Sequence, residues 1–316
     1  MKAAVIHKLG AAPKYEAFDD PVVGEGEVLV KVRAAGLHPI VKAIASGTHY
    51  LAAGTAPLVA GLDGAGVLEN GKRVYFGGVR KPWGTMAELA AARKEMLFPL
   101  PDALDDTVAA ALVNPGMSAW MSLKERGRVA TGETVLILGA TGVAGQLAIQ
   151  SARLLGAGRV VAVGRNIDAL ANSGVDAVIG LSDPDEAVRE AFEREAAAGI
   201  DLVIDYLWGR PTELLLEAMA KQFNSRGTHR TRLVEVGSSA GPDITLPGAT
   251  LRSVDLTLLG SGFGSARLDD VLAVIPHLFE MTAQGKLTMG VAAEPLAEVE
   301  SAWNRVEKGR RTVFVI

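Results

Sequence analysis

Small residues at 140, 142 and 145 have the spacing that could do chemistry in this chain. In Gly139-Ala-Thr-Gly-Val-Ala-Gly145, the residues Ala140, Gly142 and Gly145 stand as in a dinucleotide fingerprint, with alanine where the first glycine is usual. Small side chains there let the chain turn tightly, admit a pyrophosphate to bare backbone and bring the next helix close to the sheet. Thr141, Val143 and Ala144 fill the same turn and would lie against the phosphates. Before it, Thr134 to Leu138 is an apolar, β-branched run suited to a strand buried on both faces. After it, apolar residues from Val143 to Leu155 recur at helical spacing, so a phosphate would meet a helix N-terminus. A second strand, Arg159 to Val163, runs into Gly164, Arg165 and Asn166. An NAD site places Asp or Glu at that tip to accept from the ribose 2′-hydroxyl, whereas arginine suits a 2′-phosphate. Arg165 with Asn166 and no carboxylate therefore points to NADP(H), the guanidinium offering a charge-assisted and often two-pronged contact. The competing explanation is a parallel αβ domain whose glycines serve only close packing. A strand on each side and an arginine at the second tip favour the dinucleotide.

The elements needed to hold this unit can be read on both sides of it. Strands at 177–179, 200–206, 232–236 and 256–259 alternate with helices at 185–198 and 212–221. Six strands in this alternation describe an α/β, doubly wound parallel sheet whose ligand lies beyond the C-terminal strand ends. The N-terminal part is different: short strands at 1–16, 28–34, 57–68 and 72–76, a return at 84–89 and one short helix within 36–47. Residues 102–126 read as helical, with Pro115-Gly116 breaking the run in two. A helix at 269–282 and a strand at 312–316 end the chain. The parallel centre is inserted in this flanking material. Residues 1–118 with 266–316 are thus expected to build one domain, and 119–265 a Rossmann NADP(H)-binding domain. The polar, basic run Gln222 to Arg232 reads first as a solvated loop.

With 316 residues and 49% hydrophobic composition, the chain has the length for two domains and a large core. A net charge of −4 gives no basic field for nucleic acid or an anionic membrane. No window has the uncharged apolar length of a membrane span, and the N-terminus lacks a signal peptide's apolar core, so a cytoplasmic protein is expected. There is no cysteine, which excludes disulfides, thiolate catalysis and cysteine-based zinc sites. The five histidines form no tight pair, and no metal is expected.

The order of parts resembles the medium-chain dehydrogenase/reductase superfamily over nearly the whole chain. The resemblance rests on AAGLHPIVKAIASG at 34–47, GLDGAGVL at 61–68, GKRV at 71–74, GTMAELA at 84–90, NPGMSAW at 114–120 and the fingerprint. It implies a Rossmann domain inserted in a β-rich, GroES-like catalytic domain. Zinc alcohol dehydrogenases of that superfamily carry cysteine and histidine ligands where this chain reads Ala34-Ala35, Gly61-Leu62-Asp63 and Val113-Asn114. Their four-cysteine lobe is also absent between Phe76 and Gly84. The chain is similar instead to the zinc-independent quinone oxidoreductase and enoyl reductase branch. What that implies is NADPH-dependent hydride transfer to a quinone or an α,β-unsaturated carbonyl compound, with a side chain or water supplying the proton.

The same resemblance assigns site residues. Relatives carry a tyrosine two residues after the glycine at 47; here that place is His49, and Tyr50 comes next, so either could be the proton donor. His38 replaces a common asparagine and either faces the substrate or is a core histidine. Asn114 and Ser118 fall where relatives place residues beside nicotinamide and the substrate carbonyl. Gly237, Ser238, Gly262 and Phe263 occupy strand ends that flank nicotinamide, and Arg310 a basic position near the C-terminus. Lysine and tyrosine contacts to the 2′-phosphate are replaced by Asp168 and Leu181, leaving Arg165 nearly alone. The apolar strand from Leu256 to Phe263 implies a homodimer joined at its edge. A short-chain dehydrogenase would need Tyr-x-x-x-Lys, which none of the four tyrosines begins. A non-catalytic NADPH-binding sensor or structural protein of the same fold is the other class of answer, since Val41, Ala43 and Ala45 stand where the motif's polar residues would be.

Overall fold

The computed structural model describes all residues except 50–51, 53–55, 172, 223–228 and 263. It divides into two compact units, Met1–Asn114 with Ile275–Ile316, and Pro115–Val274. The first unit begins with β1 (Lys2–Ile6), β2 (Lys14–Ala17), β3 (Glu27–Gly36), α1 (Pro39–Ser46) and β4 (Leu58–Val59). Next come β5 (Gly64–Leu68), β6 (Arg73–Phe76), β7 (Leu89–Arg93) and β8 (Leu97–Pro99). A three-stranded sheet runs β2-β1-β4. In β3, Val30, Val32 and Ala34 are buried while Lys31 and Arg33 are exposed, the period of two that lets one face of a strand cover a core.

α2 (Asp106–Met121) runs straight through Pro115, contrary to the expected break, and passes into a π-helical turn at Ser122–Arg126. A proline inside a helix costs about 3 kcal/mol through its missing N–H and the clash with the preceding turn. Here residues 109–113 and 119–121 are all buried, and packing over so long an apolar stretch outweighs that penalty.

The second unit contains β9 (Thr134–Leu138), α3 (Val143–Leu154), β10 (Arg159–Gly164), α4 (Ile167–Ala171) and β11 (Ala177–Gly180). It continues with α5 (Asp185–Ala198), β12 (Leu202–Asp205), α6 (Gly209–Lys221), β13 (Thr231–Glu235), α7 (Gly248–Ser253) and β14 (Leu256–Gly260). Six strands form one parallel sheet in the order β11-β10-β9-β12-β13-β14. This is the doubly wound order, with its switch point at β9. Val135 to Leu138 are wholly buried, as a central strand covered on both faces must be, and Leu136, Val161, Val203 and Leu233 share a core with Phe192 and Leu215.

The chain then passes through α8 (Leu268–Ala283), β15 (Gly290–Pro295), α9 (Val299–Ala302) and β16 (Arg310–Val315). These strands complete a seven-stranded sheet in the first unit, β15-β16-β3-β5-β6-β8 with β7 also paired to β3. The strands of the N-terminal part pair antiparallel throughout, and only β15 with β16 pairs in parallel, so this sheet is mixed. Among the described residues no helix is long and apolar enough to cross a membrane.

Candidate functional site

The fingerprint turn begins where β9 ends. Gly139, at φ 86°, and Ala140 both donate their N–H to the Val163 carbonyl, at 2.9 and 3.0 Å, fastening the turn to β10. Gly142 is the N-cap of α3 and offers no side-chain cap, and the first turn holds no acidic residue. The first N–H groups of a helix have no intrahelical partner, so those of Val143, Ala144 and Gly145 remain a ready donor set for an anion. A methyl on Gly145 would collide with the Gly139 carbonyl oxygen and stand 2.6 Å from the Ala140 Cα. Gly145 therefore sets how close helix and turn can lie, and buried Ala140 serves the same packing. A methyl on exposed Gly142 would meet only the Gly139 carbonyl oxygen, at 3.4 Å, so its backbone faces open space. Thr141 reaches towards β10, where a methyl on Gly164 would stand 2.9 Å from its Cγ2.

Arg165, just past β10, is exposed, and its guanidinium has no partner among the described residues. Asn166 is used differently: its Oδ1 accepts from Ala169 N at 3.3 Å and starts α4, leaving Arg165 as the free group of the pair. A bare helix N-terminus beside an unpaired arginine suits a pyrophosphate and a further phosphate, so these residues fit NADP(H).

Past the other strands of the sheet lie Gly237, Ser238 and Gly262. Gly237 N donates to the Asp205 carbonyl at 3.2 Å, Ser238 is exposed, and Gly262 N donates to Ser265 Oγ at 2.7 Å. Phe263 lies outside the described residues. Half-buried Ser118 accepts from Ser122 Oγ through its carbonyl at 2.6 Å, and Ser122 Oγ meets Ser261 Oγ at 3.0 Å, tying the end of α2 to the end of β14. Sequence reasoning missed Tyr206. Its hydroxyl is buried and completes no hydrogen bond, with Ser118 its polar neighbour, and burial pushes the phenol pKa up. The missed signal was positional: Tyr206 directly follows a strand next to the switch strand.

In the first unit, His38 is the fully buried N-cap of α1. Its Nε2 lies 3.1 Å from Asp63 Oδ1, within ion-pair range, although the ring's orientation leaves both nitrogens without a hydrogen bond. Asp63 Oδ2 accepts from the Tyr75 hydroxyl at 2.7 Å, and its carbonyl from Thr85 Oγ1 at 2.7 Å. Burial first and Asp63 second push the Tyr75 phenol well up. His38 is thus buried beside Asp63, with neither ring nitrogen hydrogen-bonded. His49 is half-buried, and burial lowers its imidazole pKa; Tyr50 lies outside the described residues. Asn114 is half-buried on α2. Arg310 is exposed and paired with Glu307 at 2.6 Å, whereas Arg311 next to it has a buried Nε without a partner. Burial pulls the Arg311 guanidinium down to about 10, with Asp63 acting against it. Among the described residues, no three His, Cys, Asp or Glu side chains are grouped so as to hold a metal.

No protein-family model matches the chain. A probable NADPH-dependent quinone reductase of Emericella nidulans is 30% identical to it, over 96% of each chain. A human quinone oxidoreductase is 29% identical over 75% of this chain and 73% of its own. Among solved structures, the quinone oxidoreductase of Thermus thermophilus, determined also in complex with NADPH, superposes with a TM-score of 0.82 at 27% identity over the whole of both chains. With its six-stranded parallel sheet, separate mixed sheet and these relatives, the chain is an oxidoreductase and belongs to the medium-chain dehydrogenase/reductase superfamily, in its quinone reductase-like branch.

Proposed function

We propose that the protein is a zinc-independent, NADPH-dependent reductase that passes hydride to a quinone or to a carbon–carbon double bond conjugated to a carbonyl. One observation carries the reading: the uncapped N-terminus of α3 and the unpaired Arg165 follow adjacent strands β9 and β10, where one NADPH needs its pyrophosphate and 2′-phosphate held. The names of the Emericella and Thermus relatives support the same cofactor and a quinone as acceptor. Bound there, NADPH would supply the hydride.

This chain's own residues do the remaining work. The N–H groups of residues 143–145 bind the pyrophosphate, and Arg165 grips the 2′-phosphate. Gly237, Ser238 and Gly262, with no bulky side chain, leave room at the strand ends for the nicotinamide half. Holding donor and acceptor together supplies much of the acceleration, because a bimolecular encounter becomes a positioned one. His49, Tyr50 and Asn114 are the substrate-side candidates of the β-rich part, which we take as the catalytic domain, 1–118 with 266–316. We further propose a homodimer. Among the described residues β14 is an edge strand that pairs with β13 alone, and its Leu258 is 37% exposed. Pairing with a second copy would cover that edge.

Oxidation of NADPH with a panel of quinones and enones, before and after exhaustive chelation, tests the reading. Turnover that survives chelation is expected. Loss on chelation with recovery on adding zinc would overturn the zinc-free assignment, and no turnover with any acceptor would overturn the reductase itself.

A further inference from the structure

Tyr206 has a buried hydroxyl with no hydrogen bond in the part of the fold where a dinucleotide-binding sheet does its chemistry. In a doubly wound sheet the ligand crosses from one half to the other at the switch strand. Here that strand is β9, flanked by β10 and β12. Arg165 follows β10, and Tyr206 follows β12 on the opposite side. A dinucleotide with its 2′-phosphate on Arg165 therefore extends its nicotinamide half towards Tyr206.

Local contacts hold the residue at this edge. Tyr206 N donates to the Leu138 carbonyl, the last residue of β9, at 3.1 Å. A methyl on Gly139 would stand 3.2 Å from the Tyr206 Cβ, and one on Gly237 would stand 3.5 Å from its carbonyl oxygen. Tyr206 thus lies between the fingerprint turn and the strand end assigned to nicotinamide. Ser118, also assigned to that neighbourhood, is the polar neighbour of its hydroxyl. A phenol carries one donor and one acceptor site, and leaving them unmade in a buried place is unfavourable. Apart from Ser118 beside it, no described residue approaches this hydroxyl as a partner, and no hydrogen bond to it is completed, which leaves its donor for a ligand.

We propose that Tyr206 is a catalytic residue that gives the proton completing the reduction, a role that rests on the reductase reading above. The substrate's electrophilic carbon takes a hydride, with its electron pair, from the reduced nicotinamide. The π pair of the acceptor moves onto the carbonyl oxygen, which takes the Tyr206 proton, while the O–H bonding pair stays on the phenolate. Water returns the proton once product leaves. The cofactor loses two electrons and the substrate gains them. Ser118 acts as a positioning residue that turns the hydroxyl towards the acceptor.

Tyr206→Phe in the full chain tests this, using a quinone or enone that the wild type reduces. Positioned proton transfer contributes about 10²- to 10⁴-fold, so kcat should fall at least about a hundredfold. NADPH affinity, read by cofactor fluorescence, should stay within about twofold, because the hydroxyl is assigned to the substrate. Tm should be unchanged or higher, since the variant removes a polar atom that has no partner. Ser118→Ala should lower kcat less and leave NADPH affinity unchanged. An unchanged kcat in folded Tyr206→Phe overturns the proposal. So does a drop in Tm with a parallel loss of NADPH binding, which would mark a structural hydroxyl. If the wild type reduces no acceptor, the reductase reading has failed and this role with it, a result seen before any variant is made.

Discussion

Replacing Arg165 with alanine should remove most of the preference for NADPH over NADH while leaving NADH binding almost unchanged. A charge-assisted hydrogen bond contributes about 1.5–3 kcal/mol. Arg165 is exposed, so solvent screening places its phosphate contact near the lower end, about 1.5 kcal/mol. At about 1.4 kcal/mol per factor of ten, that is roughly a tenfold loss of NADPH affinity. Little else in the described structure can compensate. Asn166 Oδ1 is engaged with Ala169 N, and in the basic stretch Arg230 pairs with Asp255 while Arg232 pairs with Glu133. Fluorescence titration of both cofactors into wild type, Arg165→Ala and Arg165→Lys is the assay. Lysine, a point charge without the fork, should fall between the other two. Raising ionic strength from 0.01 to 0.1 M shortens the Debye length from about 30 to about 10 Å, so the wild-type preference should shrink over that range. An alanine variant that kept the wild-type NADPH to NADH ratio would refute the assignment of the second-strand tip, and Arg226, outside the described residues, would be the next candidate.

Two glycines of the fingerprint should fail in different ways. Gly145→Ala should lower stability by about 1–3 kcal/mol and weaken NADPH together, since its methyl collides with the turn backbone. Gly142→Ala should keep its Tm yet lose about tenfold in NADPH affinity, equivalent to about 1.4 kcal/mol, because its methyl occupies the phosphate's approach. For the assembly, Leu258→Lys on the edge strand should turn a sedimenting dimer into a monomer with cofactor affinity retained; a wild-type monomer at micromolar concentration would count against the pairing. Asp205→Asn should change how stability depends on pH. Burial raises the Asp205 pKa above its unfolded value, so the native state holds the proton more tightly. Its contribution declines as pH rises from the ordinary carboxylate value through the raised one, and thermal melts of the asparagine variant should lack that decline.

The parallel sheet was legible because its central strands, β9, β10 and β12, are buried on both faces and read as continuous apolar runs; α5 was expected at the residues it occupies. The place of Arg165 was legible too: it directly follows β10 and is exposed, where the proposed phosphate site needs a cation. Other features depend on contacts far apart in sequence. Pro115 signals a helix break locally, and only the burial of residues 109–113 and 119–121 explains why α2 continues. The parallel pairing of β15 with β16 leaves no mark in either strand alone. His38 was open between core and site, because nothing in its own segment announces that Asp63 stands 3.1 Å away with Tyr75 on its other oxygen. Tyr206 was passed over since a tyrosine at the end of an apolar run looks like any core residue; its meaning comes from strand order.

The turn after β12 joins that strand order to chemistry. Asp205, the last residue of β12, is fully buried, and its Oδ1 accepts from Leu207 N at 2.8 Å and Trp208 N at 2.9 Å. Its Oδ2 accepts from Thr212 Oγ1 at 2.5 Å, joining the strand end to the first turns of α6. These bonds hold Trp208 at φ 53°, a conformation that costs a non-glycine residue of order 1–3 kcal/mol and persists only where surroundings over-determine it. Gly209 follows at φ 61° and lies so close to the next loop that a methyl there would stand 3.0 Å from the Ala240 backbone. The Ala240 N–H in turn donates to the Leu207 carbonyl at 2.7 Å. Tyr206 is thus fixed between a buried carboxylate before it and a strained, doubly anchored turn after it. A residue needed only for packing requires no such backbone. A phenol that must meet one substrate atom does, because a displacement of about 1 Å can cost about a hundredfold in rate.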